Sequence, residues 1–563
     1  MKECGTISME IFAVPARSAG YCARLRRAPW LPGAFRIRRC QAFRALCSTL
    51  LLVGVGCSGR RSEGTAPVVV DAGVSAVCEG YRAPPRLGVV DAVVDEESAA
   101  RALSFRAARV QERIRAEVDP EAVRATLRIE EEHLAAHCLD LDGIVDVGRG
   151  LFERTFTRAE GQGNALGGTP SPLRRVQQGR FGGPDALSCV SCHWKGGAAG
   201  GGDRADNAYL FGDGDDVDRA DVRNPPALWG AGWVELAAAE LSADLGVQKA
   251  DLVRRARSLG QAQSGPLVSK GISFGTLTAQ PDGAVAGAVG VDADLIVKPF
   301  GLKGTRRTLR EFVGASLHLH LGMQAEEVVR AQNPTVDLGD GGGDDPDGDG
   351  VTREITSAQL TALVLYLATL DAPPLRALEE APDREAVLFS NELSFVRSPE
   401  FTLRFAQGFA LFGRVGCAVC HVPFVRVDRS RYQTQSELGG AAVVVDLAAD
   451  GARPTPARDG AGRFLLPVFS DFRRHDLGEA LAGLYPEDGV PAGTWLTRRL
   501  WGSALTTPWL RTGSAMTVDE AIVMHGGEAA VAARKFALLS EAEQIDLRLF
   551  LASLARAPSV RIR

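Results

Sequence analysis

Apolar residues recur at three- and four-residue spacing through most of the chain, a period that predicts helices. The clearest runs are "TLREFVGASLHLHLGM" (308–323), "TSAQLTALVLYLATL" (356–370), "PEFTLRFAQGFALFGRV" (399–415) and "SEAEQIDLRLFLASL" (540–554). Another runs from Glu96 to Cys138, rich in Ala, Arg, Glu and Leu, and Pro120 divides it into two helices. Patterns that alternate every second residue, as strands require, are scarce. The expected fold is therefore mainly α, with two helical domains in tandem, long loops and a helical N-terminal extension. The stretch "APPLRALEEAPDRE" reads as the linker between the two halves.

The N-terminus has a different character. Nine basic residues, Lys2 through Arg44, stand against Glu3 and Glu10, and the apolar run "LCSTLLLVGVG" follows. Charge, then a short apolar run, then small residues is the pattern of a secretory signal, and the run is too short to span a bilayer. Gly56–Cys57 after "LVGV" resembles a bacterial lipoprotein cleavage site, with Gly54 standing where Leu is usual. The chain thus divides into a signal peptide of lipoprotein type (1–56), a Gly/Pro/Val-rich tether (57–90), a helical extension (91–147), a first domain (148–375) and a second (376–563). Without residues 1–56 there remain 55 basic and 67 acidic residues, a net charge of −12. An acidic exported protein is a poor nucleic-acid binder, and its membrane contact is expected only through a lipid at Cys57. The expected location is the periplasm, as an outer-membrane lipoprotein if Cys57 is lipidated.

Eleven cysteines sharpen the chemistry. Four lie in the leader and one is Cys57; Cys78 and Cys138 are left to pair or to remain as two thiols. The other four form "CVSCH" and "CAVCH", in which Cys189, Cys192 and His193 repeat as Cys417, Cys420 and His421. This spacing attaches haem c: two sulfurs meet the porphyrin vinyl groups and the next histidine takes the iron from the proximal side. A structural zinc site needs four ligands, and a redox C-x-x-C needs no following histidine. His133 and His137 share a helix face but have no metal-binding company, and read as solvated.

Beyond these motifs the chain resembles the di-haem oxidoreductases of the thiol-oxidoreductase-like kind, relatives of the bacterial di-haem cytochrome c peroxidases. The matching pieces run in order over roughly 148–555: "GRGLFERTF", "SCVSCHWKGG", "RNPPALWGAGWVE", "KPFGLKGTRRTLREFV", "DPDGDGVTREI", "GCAVCHVP", "SDFRRHDLG", "RRLWGSALTTPWLRTGSAM" and "TVDEAIVMHGGEA". The resemblance implies two cytochrome c-like helical domains with haems side by side, one meeting peroxide and one relaying electrons. It further implies a redox partner such as a small cytochrome or cupredoxin, and a small-molecule oxidant. The alternative is a pure electron-transfer cytochrome with both irons six-coordinate.

The resemblance also suggests the distal residues. The peroxidases place a methionine about fourteen residues past a "HDG" turn. Here the turn reads "LRTG", and fourteen past Arg511 stands His525, the candidate distal ligand of the second haem; Met524, Met516 and His475 are the alternatives. His475 is expected near the edge of that haem as a hydrogen-bonding group, or else on a surface loop. At the first haem, His320 falls where the relatives carry a catalytic glutamate, so it either moves a proton or closes the iron's coordination shell, with Met323 the next candidate ligand. His318 and His320 point different ways on a helix, so only one can face the iron. Trp194, Trp229, Trp233, Trp501 and Trp509 accompany these motifs, either bridging the haems or packing on porphyrin faces. Finally, Asp345, Asp347 and Asp349 alternate ahead of Gly350 and Glu354, a pattern that can wrap calcium; "GDGDDVD" (212–218) is a weaker copy.

Overall fold

A computed structural model describes residue 78 and residues 127–163, 176–177, 185–210, 220–332, 334, 345–370, 399–449, 455–503 and 506–554. The leader and Cys57, the tether apart from Cys78, most of the helical extension, the 212–218 loop and the linker lie outside the described residues. No described helix is long and apolar enough to cross a membrane. Cys78 and Cys138 form a disulfide.

The four clearest predicted helices form: Leu309–Ser316, Ser357–Ala368, Pro399–Val415 and Glu541–Ser553. Three start on a hydroxyl cap. Thr308, Thr356 and Ser540 each accept from the amide three residues on, and Gln359 and Glu543 return the bond as capping boxes. Two helix pairs hold the architecture. Leu141–Glu153 crosses Ser357–Ala368, and Pro399–Val415 crosses Glu541–Ser553. Each crossing passes over a glycine. A methyl group on Gly148 would fall on the Ala362 carbonyl, and one on Gly408 on the Asp546 carbonyl.

The structure adds two features that the periodicity did not predict. A 29-residue helix, Ala231–Leu259, is the longest among the described residues. Five small sheets also form among the described residues. The largest strands are Gln263–Ser269, Ile272–Ala279 and Val285–Ala288, an antiparallel sheet packed on the long helix. Ile272, Phe274, Leu277 and Ala279 turn inward. Their alternation is broken by a register shift between Gly275 and Thr278, which hides the two-residue period in the sequence.

Two cores result. The larger joins Val147, Leu151 and Phe152 to Leu363, Val364 and Trp233. It also recruits residues from far along the chain, including Val425, Val427, Phe464 and Leu466 from a strand pair; Phe464 lies 4.9 Å from the Trp233 ring. The smaller is built on Phe405, Phe412, Phe469 and Phe550, with ring centroids 5.3–5.9 Å apart.

The glycine crossings give a direct test. Gly148→Ala and Gly408→Ala should each cost about 1–3 kcal/mol by overpacking. Gly246→Ala, on an open face of the long helix, should instead gain about 0.5–1 kcal/mol. Thermal unfolding of the three variants would show the opposite signs.

Candidate functional site: two adjacent cavities

Both C-x-x-C-H motifs adopt the same local structure. Cys189–Ser191 and Cys417–Val419 are single 3-10 turns, and the amides of His193 and His421 donate back to Cys189 and Cys417 at 3.1 and 2.9 Å. A backbone carbonyl then fixes each imidazole. His193 Nδ1 lies 3.0 Å from the Pro226 oxygen, and His421 Nδ1 lies 3.0 Å from that of Phe469. With Nδ1 donating, Nε2 is left as a ligand, and each histidine lines a cavity. The cavities enclose about 1720 and 2090 Å³ of atom-free space, their mouths included. They share a wall containing Asn224, Pro225, Pro226, Leu496, Arg498 and Arg499.

The donor chemistry suits covalently attached haem. All four cysteines are free thiols. Burial pushes Cys189 up to about 12 and Cys417 up to about 11, so both stay neutral in largely apolar surroundings. Burial likewise lowers His193 and His421 to about 4, which keeps the imidazoles neutral and able to bind metal.

A second histidine enters each cavity. His525 lines the second; burial lowers its pKa, Ala521 holds its Nδ1 at 2.7 Å, and its charge would repel His421. Met524 and Met516 do not line that cavity, and Met516 is exposed. His320 lines the first cavity and stands near enough to His193 to depress it. It sits on a π-helical turn, Leu317–Leu321, and only His320 of the two histidines there reaches the cavity. Its Nδ1 lies 3.2 Å from both oxygens of Asp185, whose side chain is fully buried.

Met323 is a correction. Gly322 turns the chain in the left-handed region at φ 68°, and Met323 then enters the core, fully buried beside a small pocket that includes Glu160 and Glu354. It does not line the first cavity.

His475 is on no surface loop. It lies on the strand Arg474–Asp476, paired across to Trp495, and both residues line the second cavity. Its Nδ1 meets Glu528 and its Nε2 meets Asp471, each at 2.8 Å, so neither nitrogen is left for iron. Among the tryptophans, Trp501 and Trp509 line the second cavity, while Trp233 packs in the core. Trp229 is fully buried, donates to the Ala198 carbonyl at 2.8 Å and lies flat under Gly502. Trp194 is exposed and donates to Asp206. Asp185, Trp495, Arg498 and Arg499 carry no spacing signal and escaped the sequence reading.

In the acidic loop, carboxylate oxygens of Asp345, Asp347 and Asp349 lie within 4.8 Å of one another. Both Asp347 oxygens are buried without a hydrogen-bond partner, and burial raises its pKa to about 7. Glu354 stands close by; burial raises it to about 10, although the Gln324 amide donates to it at 2.6 Å.

Residues 383–554 match the family model described as "Di-haem oxidoreductase, putative peroxidase". That segment carries the second motif, His475 and His525. Over that segment the chain is similar to the di-haem oxidoreductases. No curated protein matches the chain. Among solved structures, the chain is similar to one described as "Crystal structure of a MauG-like protein associated with microbial copper homeostasis", at 14% identity and a TM-score of 0.27, over 74% of this chain and 91% of that one. Similarity to a di-haem family implies haem cofactors, and two cavities with matching donor sets accord with that number.

The ion-paired His475 sets a pH dependence. Burial would lower its pKa, but bonds to Asp471, the Cys420 sulfur and Glu528 raise it to about 10. The folded value lies above the unfolded one of about 6.5, so the stabilisation is complete below that pH and is lost as pH rises towards 10. Thermal unfolding between about pH 6.5 and 10 should therefore fall more steeply for wild type than for His475→Gln.

Proposed function

We propose that the protein is an exported c-type di-haem oxidoreductase of peroxidase-like activity, in which the second haem relays electrons to the first. One observation carries the reading: two C-x-x-C-H turns, each with its histidine fixed by a carbonyl, open on cavities that share a wall. In the proposed holoprotein each crossed helix pair and its turn form a cytochrome c-like domain. Cys189 and Cys192 hold one haem with His193 as proximal ligand, and Cys417 and Cys420 hold the other with His421. His525 is the proposed distal ligand of the second iron. The bound haems supply the redox chemistry. Asp185 keeps the proton on His320 Nδ1, which leaves Nε2 basic and directed at the oxidant's site, where it can take up and return a proton.

The same observations favour a second reading. A histidine stands in each cavity with the proximal one, so both irons can be six-coordinate, and the protein would then carry electrons without acting on a substrate. Export is supported by the Cys78–Cys138 disulfide, since such bonds persist in oxidising compartments. The electron donor is proposed to be a small cytochrome or cupredoxin, and Cys57 a lipid anchor.

Pyridine haemochrome analysis after acid–acetone extraction should find two covalent haems per chain. His320→Gly should then create a high-spin signal and CO binding in the reduced form if His320 is a ligand. If wild type already binds CO fully at the first haem and the variant matches it, His320 is no ligand. Loss of peroxide turnover in the variant would then mark the acid–base role.

We also propose calcium at Asp345, Asp347, Asp349 and Glu354, because carboxylates this close and this buried repel one another unless a cation stands between them. Chelation with EGTA should lower the melting temperature, and Asp347→Asn should abolish that shift.

A further inference from the structure

Arg498 and Arg499 stand in the wall between the cavities, and each lines both of them. Neither makes an ion pair with any described residue. Arg499 donates to the Ala227 carbonyl at 3.2 Å and lies 5.6 Å from the Trp501 ring centre, contacts that leave its charge uncompensated. Arg499 is half-buried, whereas Arg498 is exposed and also lines both cavities. Burial lowers Arg498 to about 10, and burial together with the Arg498 charge lowers Arg499 to about 9. The other arginines that line the cavities are matched: Arg223 pairs with Asp221 and Glu487, Arg306 with Asp488, and Arg511 with Asp221. Two adjacent guanidinium groups with no acidic partner among the described residues repel one another, and anions that meet them relieve that repulsion. Both side chains line the two cavities, so an anion bound in either cavity can meet them.

The wall is built from two similar segments. "RNPPALWG" supplies Pro225 and Pro226, and "RRLWG" supplies Arg498 and Arg499. Gly502 of the second segment lies on the Trp229 ring of the first, in a conformation (φ 70°) that leaves no room for a side chain. One segment is neutral and the other doubly charged, yet both cavities reach the charged one.

We propose that Arg498 and Arg499 together bind the propionate carboxylates of both haems, drawing those edges to the common wall. The assignment rests on the di-haem reading above. Carboxylate is the chemistry that the planar guanidinium fork matches best, through two parallel N–H···O bonds. Propionates are the carboxylates that haem brings to a cavity otherwise lined largely by apolar groups. Cations held beside both irons also disfavour the more positive ferric state, so the pair raises both reduction potentials.

The test uses the full-length holoprotein with Arg498→Gln, Arg499→Gln and the corresponding Lys variants. Haem content is measured by pyridine haemochrome and potentials by spectroelectrochemical titration. Thioether attachment does not depend on these arginines, so two haems should remain. Both potentials should move downward in each Gln variant and stay near wild type in the Lys variants. Unmoved potentials, or a shift at one haem only, would overturn the shared clamp while leaving the di-haem reading intact. Fewer than two haems on wild type would overturn that reading itself. If a Gln variant does not accumulate, the propionate-bending bands in resonance Raman spectra carry the test. They should shift between wild type and each Lys variant, and unchanged bands would sink the assignment.

Discussion

The placement of the two cavities depends on a buried lysine. Lys303 is fully buried, yet its ammonium reaches the carbonyls of Pro491, Ala492 and Thr494 at 2.6–3.0 Å and lies 3.6 Å above the Trp495 ring. Burial lowers its pKa to about 8, with Arg223 and Arg511 adding to the effect. A charge held in this way cannot leave its partners without being stranded in a poor dielectric. It therefore ties residues before the first cavity's π turn to a strand of the second half. Arg223 and Arg511 flank the same indole at 5.0 and 4.9 Å, and Asp221 and Glu487 balance them. Further polar ties cross between the halves elsewhere, from Arg310 to Thr434 and from Tyr432 to Glu235. Apolar packing alone would tolerate sliding; directional bonds to buried charges do not.

Within that frame each cavity is built by the same steps. A helix crosses another at a glycine, a 3-10 turn lifts two thiols to the wall, and a distant carbonyl fixes the imidazole. The carbonyls come from Pro226 and Phe469, 33 and 48 residues beyond their histidines. Proximal geometry is thus set by the tertiary fold rather than by the turn alone. It follows that the long loops, and not only the helices, are structural parts of the site.

The limits of the sequence reading follow from the same distinction. Signals confined to a few residues were legible: the four amphipathic helices and their caps, both C-x-x-C-H turns, the aspartate loop, and His320 and His525 by their places in motifs. The Cys78–Cys138 bond was legible as one of two alternatives once the other cysteines had been allotted. What escaped depends on long-range partners. The Ala231–Leu259 helix is buried over its first half and largely solvent-facing over its second, so no single apolar stripe runs its length. The 263–288 sheet hides its alternation behind a bulge. Asp185 acquires meaning only because the chain returns to His320 135 positions later. Met323 failed for a local reason: Gly322 redirects the chain between the two candidate ligands.

The contrast between the two distal histidines bears on how one fold separates an electron relay from a reaction site. His525 Nδ1 meets a neutral carbonyl, which fixes the ring without adding charge. His320 Nδ1 meets a buried carboxylate, which fixes the ring and also strengthens Nε2 as a base and as a ligand. The π turn places His320, and the backbone amides of Asp185 and Ala186 donate to the His320 carbonyl, which holds that pair together. A carboxylate-backed imidazole stabilises positive charge, whether that charge arrives as a proton or as a metal ion. At a cavity meant only to pass electrons, this asymmetry has no evident use. At one where a proton must be taken up and returned, it has an obvious one. On the proposed reading, the buried Asp185 is the feature that favours proton chemistry at the first cavity over the second.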